Sequence, residues 1–258
     1  MKFLKKIDAI HYYNKIDNKS YSLFQEDIDR TGSKCFYVED IKKIYNKIIR
    51  SATPHFYEFW TENTKMVFGM DIDFDKTKST DTPLQILTQI INIVIKSALE
   101  YYSYEYLIEN IIILENDSNQ LIDNPNKYSA HIIFRGLNFE NYLVAKDFFQ
   151  RMNSKYDLVS LHVDKRIYSM TCLRLFMNMK MSKTSILIPI QYTINDKKTM
   201  GCGRSMSNDS MYQFFLSTMI TYTNDSDQTI NIQQITHKTI SNQIKYANSA
   251  NNILNVNL

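Results

Sequence analysis

Three aspartates, Asp71, Asp73 and Asp75, alternate with Ile72 and Phe74 at the end of a run that begins Met66-Val67-Phe68-Gly69-Met70. On a β-strand successive side chains point to opposite faces, so the acids share one face while Met70, Ile72 and Phe74 take the other. Carboxylates this close repel one another unless a cation or a shared proton intervenes, and a divalent metal is the natural resolution. A second polar strand pattern runs from Lys127 to Arg135, in which Lys127, Ser129 and His131 also share a face. A cation, a hydroxyl and an imidazole converging there suit a triphosphate. Asp164 closes a later apolar run, ten residues before Arg174 and sixteen before Lys180. A third carboxylate completes a two-metal site of the kind that bridges triphosphate oxygens, and Arg174 and Lys180 suit phosphates or template. Taken singly, each of these residues also has an ordinary reading, as a satisfied core histidine or a surface ion pair.

The elements that must position them follow from periodicity. Lys34–Val38 reads as a strand and Asp40–Ile49 as a helix, with Phe56–Trp60 a further strand leading to the acidic one. Residues 1–20 read as a short helix or an arm. Thr82-Pro83 opens a helix capped by Asp81 or Thr82, with Leu84, Leu87, Ile91, Val94, Ile95 and Ala98 as its apolar stripe. Ile111–Leu114 reads as a buried strand and Glu115–Asn126 as a loop. Leu143–Met152 and Met211–Ile220 have helical spacing. Leu158–Val163, Leu173–Phe176 and Ile186–Ile190 read as strands, and Gly201-Cys202-Gly203 as a turn. With no repeat and no clean linker, the chain reads as one α/β unit followed by an Asn- and Ser-rich tail from 223 to 258.

Composition narrows the classes. In 258 residues 44% are apolar, enough for a sizeable core, and 30 Lys+Arg against 27 Asp+Glu exclude a polycation, so nucleic-acid binding must come from local placement. The 18 Tyr and 14 Phe suit a core before base stacking. Cys35, Cys172 and Cys202 are scattered with no C-x-x-C pair, so neither a disulfide scaffold nor a local zinc knuckle is supported. The charged start and the lack of an 18-residue apolar run point to a soluble intracellular protein without a signal peptide or membrane span.

Asp71-Ile72-Asp73, then Ser129-Ala130-His131, then Val163-Asp164 with Tyr168 and Leu173-Arg174-Leu175-Phe176 resemble the three motifs of the archaeo-eukaryotic primase superfamily, above all its primase-polymerase branch and related viral small primase subunits. The resemblance extends weakly to Phe56-Tyr57-Glu58 and to Tyr212–Ser217, spanning most of residues 20–222. It implies that Asp71, Asp73 and Asp164 bind Mg²⁺ or Mn²⁺, and that Ser129 and His131, with Lys127 just ahead, contact the incoming nucleotide. Arg174 and Lys180 match the branch's Arg and the Lys six residues later, whereas Thr171 stands where the branch has another Arg.

The implied fold is α+β, a two-lobed core over 1–222 with an N-terminal α/β lobe (about 20–62 plus 137–160) and an RRM-like catalytic lobe (about 63–136 plus 161–222). The implied activity is DNA-directed primer synthesis from NTPs or dNTPs on single-stranded DNA. Such branches usually carry a zinc module or a fused helicase; this chain shows neither, so a second primase subunit, zinc-module protein or helicase is expected in trans. An Asn-, Ile- and Lys-heavy composition fits an AT-rich viral or plasmid genome, and a viral origin would place the protein in the host nucleus or a replication compartment.

Two other readings compete. A metal-dependent glycosyltransferase uses an Asp-x-Asp pair on a nucleotide-sugar, but gives no reason for Lys127, Ser129, His131 and Asp164. A silent primase subunit would keep the fold without the chemistry. An EF-hand fails, because the sixth and twelfth positions from Asp71 are Lys76 and Thr82.

Overall fold

The computed structural model describes residues 1–16, 20–116, 126–169, 172–181, 185–201, 206–223 and 229–230. Thr171, Cys202, Gly203 and nearly all of the 223–258 segment lie outside them. In chain order the elements are β1 (Lys2–Phe3), α1 (Lys6–Tyr13), β2 (Tyr21–Asp27), β3 (Lys34–Asp40), α2 (Ile41–Arg50), β4 (Phe56–Phe59), β5 (Met66–Asp75), α3 (Pro83–Tyr102), β6 (Ile111–Asn116), β7 (Lys127–Phe139), α4 (Tyr142–Tyr156), β8 (Cys172–Arg174), β9 (Leu187–Pro189), β10 (Thr193–Ile194), β11 (Lys197–Lys198), α5 (Asn208–Thr218) and β12 (Thr229–Ile230). They form an α+β molecule with two five-stranded sheets.

The first sheet is ordered β1-β3-β2-β4-β8 and is antiparallel throughout. Its β2 was not legible in the pattern. Leu23 and Phe24 are adjacent apolar residues rather than alternating ones, and both are buried because both faces of the sheet are covered. Leu23 packs with Ala9 of α1, and Phe24 with the main core.

The second sheet carries the acidic strand. Here β5 pairs with β7, and β7 with β6, both antiparallel, while Ile72 bridges Val163 on the free side of β5. With α3 after β5 and α4 after β7, this is the β-α-β-β-α-β order expected of the RRM-like lobe, its last strand reduced to one bridge. The core side of β5 buries Phe68, Met70, Ile72 and Phe74. Thr82 caps α3 through a reciprocal capping box with Gln85, and Leu87, Ile91, Val94 and Ala98 face the core as expected, together with Ile86 and Ile90. Leu84, placed on the stripe, is instead exposed in the first turn.

Several expectations are corrected. The segment 137–160, assigned to the first lobe, belongs to the second sheet: 137–139 complete β7, and α4 packs on α3, β5 and β7. The reason is the apolar stripe Val144, Phe148 and Met152, whose Phe148 ring packs edge-on or tilted against Phe68, Tyr102 and Phe139. Conversely β8, assigned to the catalytic lobe, pairs with β4 in the first sheet. Leu158–Val163 is not a strand but a chain of turns, with Ser160, Leu161 and His162 donating to carbonyls three residues back, and His162 at φ 66°. Only Val163 is left to bridge. Of the expected loop Glu115–Asn126, the first two residues belong to β6, which runs on to Asn116, and residues 117–125 lie outside the described residues.

One segment ties the sheets together. Ile220 accepts from Val67 N at 2.7 Å, while the Glu58 carboxylate of β4 accepts from Ile220 N, Thr221 N and Thr221 Oγ1 at 2.9, 3.0 and 2.7 Å. Gly69 is required here, since a Cβ would lie 2.8 Å from Ile220 Cγ2. Glu58 is 1% exposed, and burial pushes its carboxyl up to about 7 against the three donors and Arg135, which pull it down.

The consequence for stability has a definite sign. The folded protein keeps a proton that the unfolded chain releases near 4.5, so this group's contribution is full below that pH and is lost as pH rises through 7. Between pH 5 and 8 wild type should lose up to about 3 kcal/mol relative to Glu58→Gln in urea unfolding. A gap that does not change with pH would show that Glu58 is ionised throughout.

Candidate active site

The register of β5 on β7 decides what faces the acids. Met66 and Val67 pair with Phe139 and Asn138, but Phe68 pairs with Phe134, so residues 135–137 bulge out of β7 around Gly136 at φ 86°. Beyond the bulge Asp71 stands opposite His131, Asp73 opposite Ser129 and Asp75 opposite Lys127. Directly opposed residues share a face, so the acids and the Lys-Ser-His set meet.

Asp164 joins from the other side. Its backbone N donates to Asp71 O at 2.8 Å, and Asp73 N donates to His162 O at 3.3 Å, which puts Asp164 beside Asp71 across the Ile72–Val163 bridge. The placement is held by the turn that follows. Tyr168 stacks between Phe68 and Phe149, donates its hydroxyl to Gly69 O at 2.7 Å, and accepts at its carbonyl from Tyr142. One row across three chain segments therefore reads Asp164, Asp71, His131.

In a second row Asp73 stands opposite Ser129, and Asn116 lies one step beyond Glu115–Ala130, the last pair of β6 on β7, which brings it level with Ser129. Asn116 is a residue that the sequence reading missed, having placed it in a loop. The signal was available as one more step of alternation beyond Leu114. Its Oδ1 accepts from Arg174 Nη2 at 2.6 Å. Arg174 rises from the first sheet, is 5% exposed, and has Nε and Nη1 buried without a hydrogen-bond partner. A buried guanidinium with unused donors is suited to an anion.

Electrostatics agree with one shared site. Burial, then the neighbouring Asp73, pushes the Asp71 carboxyl up to about 6, with Lys180 and Arg174 opposing. Burial holds His131 well below the usual imidazole range, and Arg174 and Lys180 push it further down, so the ring is neutral with one N–H to donate. Its Nε2 lies 3.6 Å from Asp71 Oδ1, and its buried Nδ1 has no partner. Lys127 Nζ donates to Asp73 Oδ2 at 2.9 Å, leaving Asp73 Oδ1 buried and unpartnered. Lys180, exposed at the rim, is lowered by desolvation and by Lys127 and Arg174, and raised by Asp73 and Asp71.

All eight sequence-predicted residues thus converge on one region between the sheets. Asp75 stands apart, its carboxylate accepting from Thr77 N and Oγ1 at 3.0 and 2.7 Å in the turn that ends the strand.

The residues present fit a divalent cation at the Asp71–Asp73 pair: two acids in a desolvated setting, one of them with an orphaned oxygen. Among the described residues, however, no group of three His, Cys, Asp or Glu side chains is arranged to hold a metal. The third acid is turned aside, because the Asp164 carboxylate is taken by Arg166.

A family model described as the C962R protein N-terminal AEP domain, an archaeo-eukaryotic primase domain, matches residues 33–193, which include every one of these side chains. The chain belongs to this family. No curated protein matches it. Among the described residues no helix is long and apolar enough to cross a membrane.

Proposed function

We propose that this chain is a DNA-directed primase-polymerase, a nucleotidyltransferase that builds primers on single-stranded DNA from NTPs or dNTPs in viral or plasmid replication. The observation that carries the reading is the pair of parallel rows, Asp164-Asp71-His131 and Asp73-Ser129-Asn116, with the unsatisfied Arg174 guanidinium beside them. These rows support the reading because they bring acids suited to metals beside donors suited to a triphosphate, whereas sugar transfer on an Asp-x-Asp pair accounts only for the acids.

Asp71, Asp73 and Asp164 would hold Mg²⁺ or Mn²⁺, which when bound supplies Lewis-acid charge at the triphosphate and the attacking hydroxyl. Lys127, Ser129, His131, Arg174 and Lys180 bind the triphosphate. Neutral His131 contributes a short, rigid donor, and Arg174 a fork whose direction is fixed by Asn116. No side chain is required as general base. A second primase subunit, zinc-module protein or helicase would supply template loading in trans.

The test uses purified protein with an unprimed single-stranded DNA template, labelled NTPs or dNTPs, and Mg²⁺ or Mn²⁺. Template-dependent product that disappears with chelator supports the reading. No product even with a primer supplied favours a catalytically silent subunit, and transfer from UDP- or GDP-sugars favours a glycosyltransferase. Asn116→Ala should raise the nucleotide KM about tenfold with a smaller change in kcat, because it deprives a buried guanidinium of a hydrogen-bond acceptor. An unchanged KM would remove Asn116 from the site.

A further inference from the structure

The third carboxylate of the site is fully engaged before any ligand arrives. Asp164 Oδ1 accepts from Arg166 N at 2.9 Å and from Arg166 Nε at 3.0 Å, and Oδ2 accepts from Nε and Nη2 at 2.8 and 2.5 Å. Both oxygens that a cation would need are thus taken by one guanidinium. The charges of Asp71 and Asp73 also act on Arg166, though less than that of Asp164. Its side chain is 78% exposed against 17% for Asp164, so the guanidinium is reached by solvent while the acid is largely covered. The pair is bidentate, yet solvent around the guanidinium screens it, so a competing cation can displace it.

We infer that Arg166 is an internal counter-cation that competes with the divalent metal for Asp164, and that its guanidinium must swing outward before the third acid can turn to the Asp71–Asp73 pair. This rests on the nucleotidyl-transfer reading of the same acids. Arg166 is a positioning residue in this account. It lowers the apparent metal affinity of the ligand-free protein, and it neutralises the acids while no metal is present.

The test is direct Mn²⁺ titration, with free ion followed by electron paramagnetic resonance, on wild type, Arg166→Ala, Arg166→Lys and Asp73→Ala, each checked for folding by circular dichroism. Arg166→Ala should bind Mn²⁺ about two- to fivefold more tightly than wild type. Arg166→Lys should fall between them, since an ammonium cannot clamp both oxygens. The gap should shrink as salt is raised. Equal or weaker binding by Arg166→Ala, where Asp73→Ala still weakens binding, overturns the inference alone. Absence of Mn²⁺ binding, or binding indifferent to Asp73→Ala, overturns both it and the nucleotidyl-transfer reading.

Discussion

Replacing Asp71 with alanine is expected to lower template-directed nucleotide incorporation by more than about 100-fold, since loss of groups that only orient metal ligands already costs 10- to 100-fold. Asp71 is the centre of its row, with His131 on one side and Asp164 on the other, and Asp73 two residues on. It is also held in an unfavourable setting. Burial and the Asp73 charge both disfavour its ionised form, so its removal relieves repulsion and leaves the metal-free fold as stable as before or more so. Incorporation assays and thermal unfolding on the same preparations separate the two effects. Asp75→Ala, whose carboxylate only closes the Thr77 turn, should retain activity. Normal incorporation by Asp71→Ala, or equal losses from Asp71→Ala and Asp75→Ala, would contradict the proposed site.

The largest expected loss of stability comes from Phe68→Ala, at about 3–5 kcal/mol. Phe68 is fully buried, and its ring lies 5.0–5.8 Å from those of Phe134, Phe139, Phe148 and Tyr168. In a chain of this size that cost corresponds to a fall in Tm on the order of 10 °C. Activity should fall with it even below the transition, because the Tyr168 ring that stacks on Phe68 anchors the turn following Asp164. Phe68→Leu, which keeps most of the volume, should recover the larger part of both. A Tm within 2 °C or so of wild type for Phe68→Ala would mean that the cavity refills, and that these rings are not the core of this sheet.

Much of the site was legible because it rests on strand alternation, a local property. Two acids at i and i+2, and a Lys, Ser and His at i, i+2 and i+4, have to share faces wherever such segments form strands. The helices were legible for the same reason: Thr82-Pro83 and the stripe behind it specify their own start and inner face. Where local signals were silent or ambiguous, the reading went astray. The apolar run Leu158–Val163 suits a strand by composition, but its backbone closes into turns, which brings Asp164 to Asp71 through a single bridge. Neither the side of the sheet that α4 covers nor the sheet that β8 joins is written in a periodicity. Both follow from which apolar surfaces remain to be buried once β5, β6 and β7 have paired.

The sequence by itself determined the donors: which residues could bind a metal or a triphosphate, and which of them share a strand face. Tertiary structure alone decided that the two faces are the same one. The bulge at residues 135–137 displaces β7 by an odd number of residues, and an odd slip exchanges the faces of a strand. Without it Asp71 and Asp73 would face Phe134 and Ile132. With it they face His131 and Ser129, and Arg174, carried on the other sheet, completes the site by reaching Asn116.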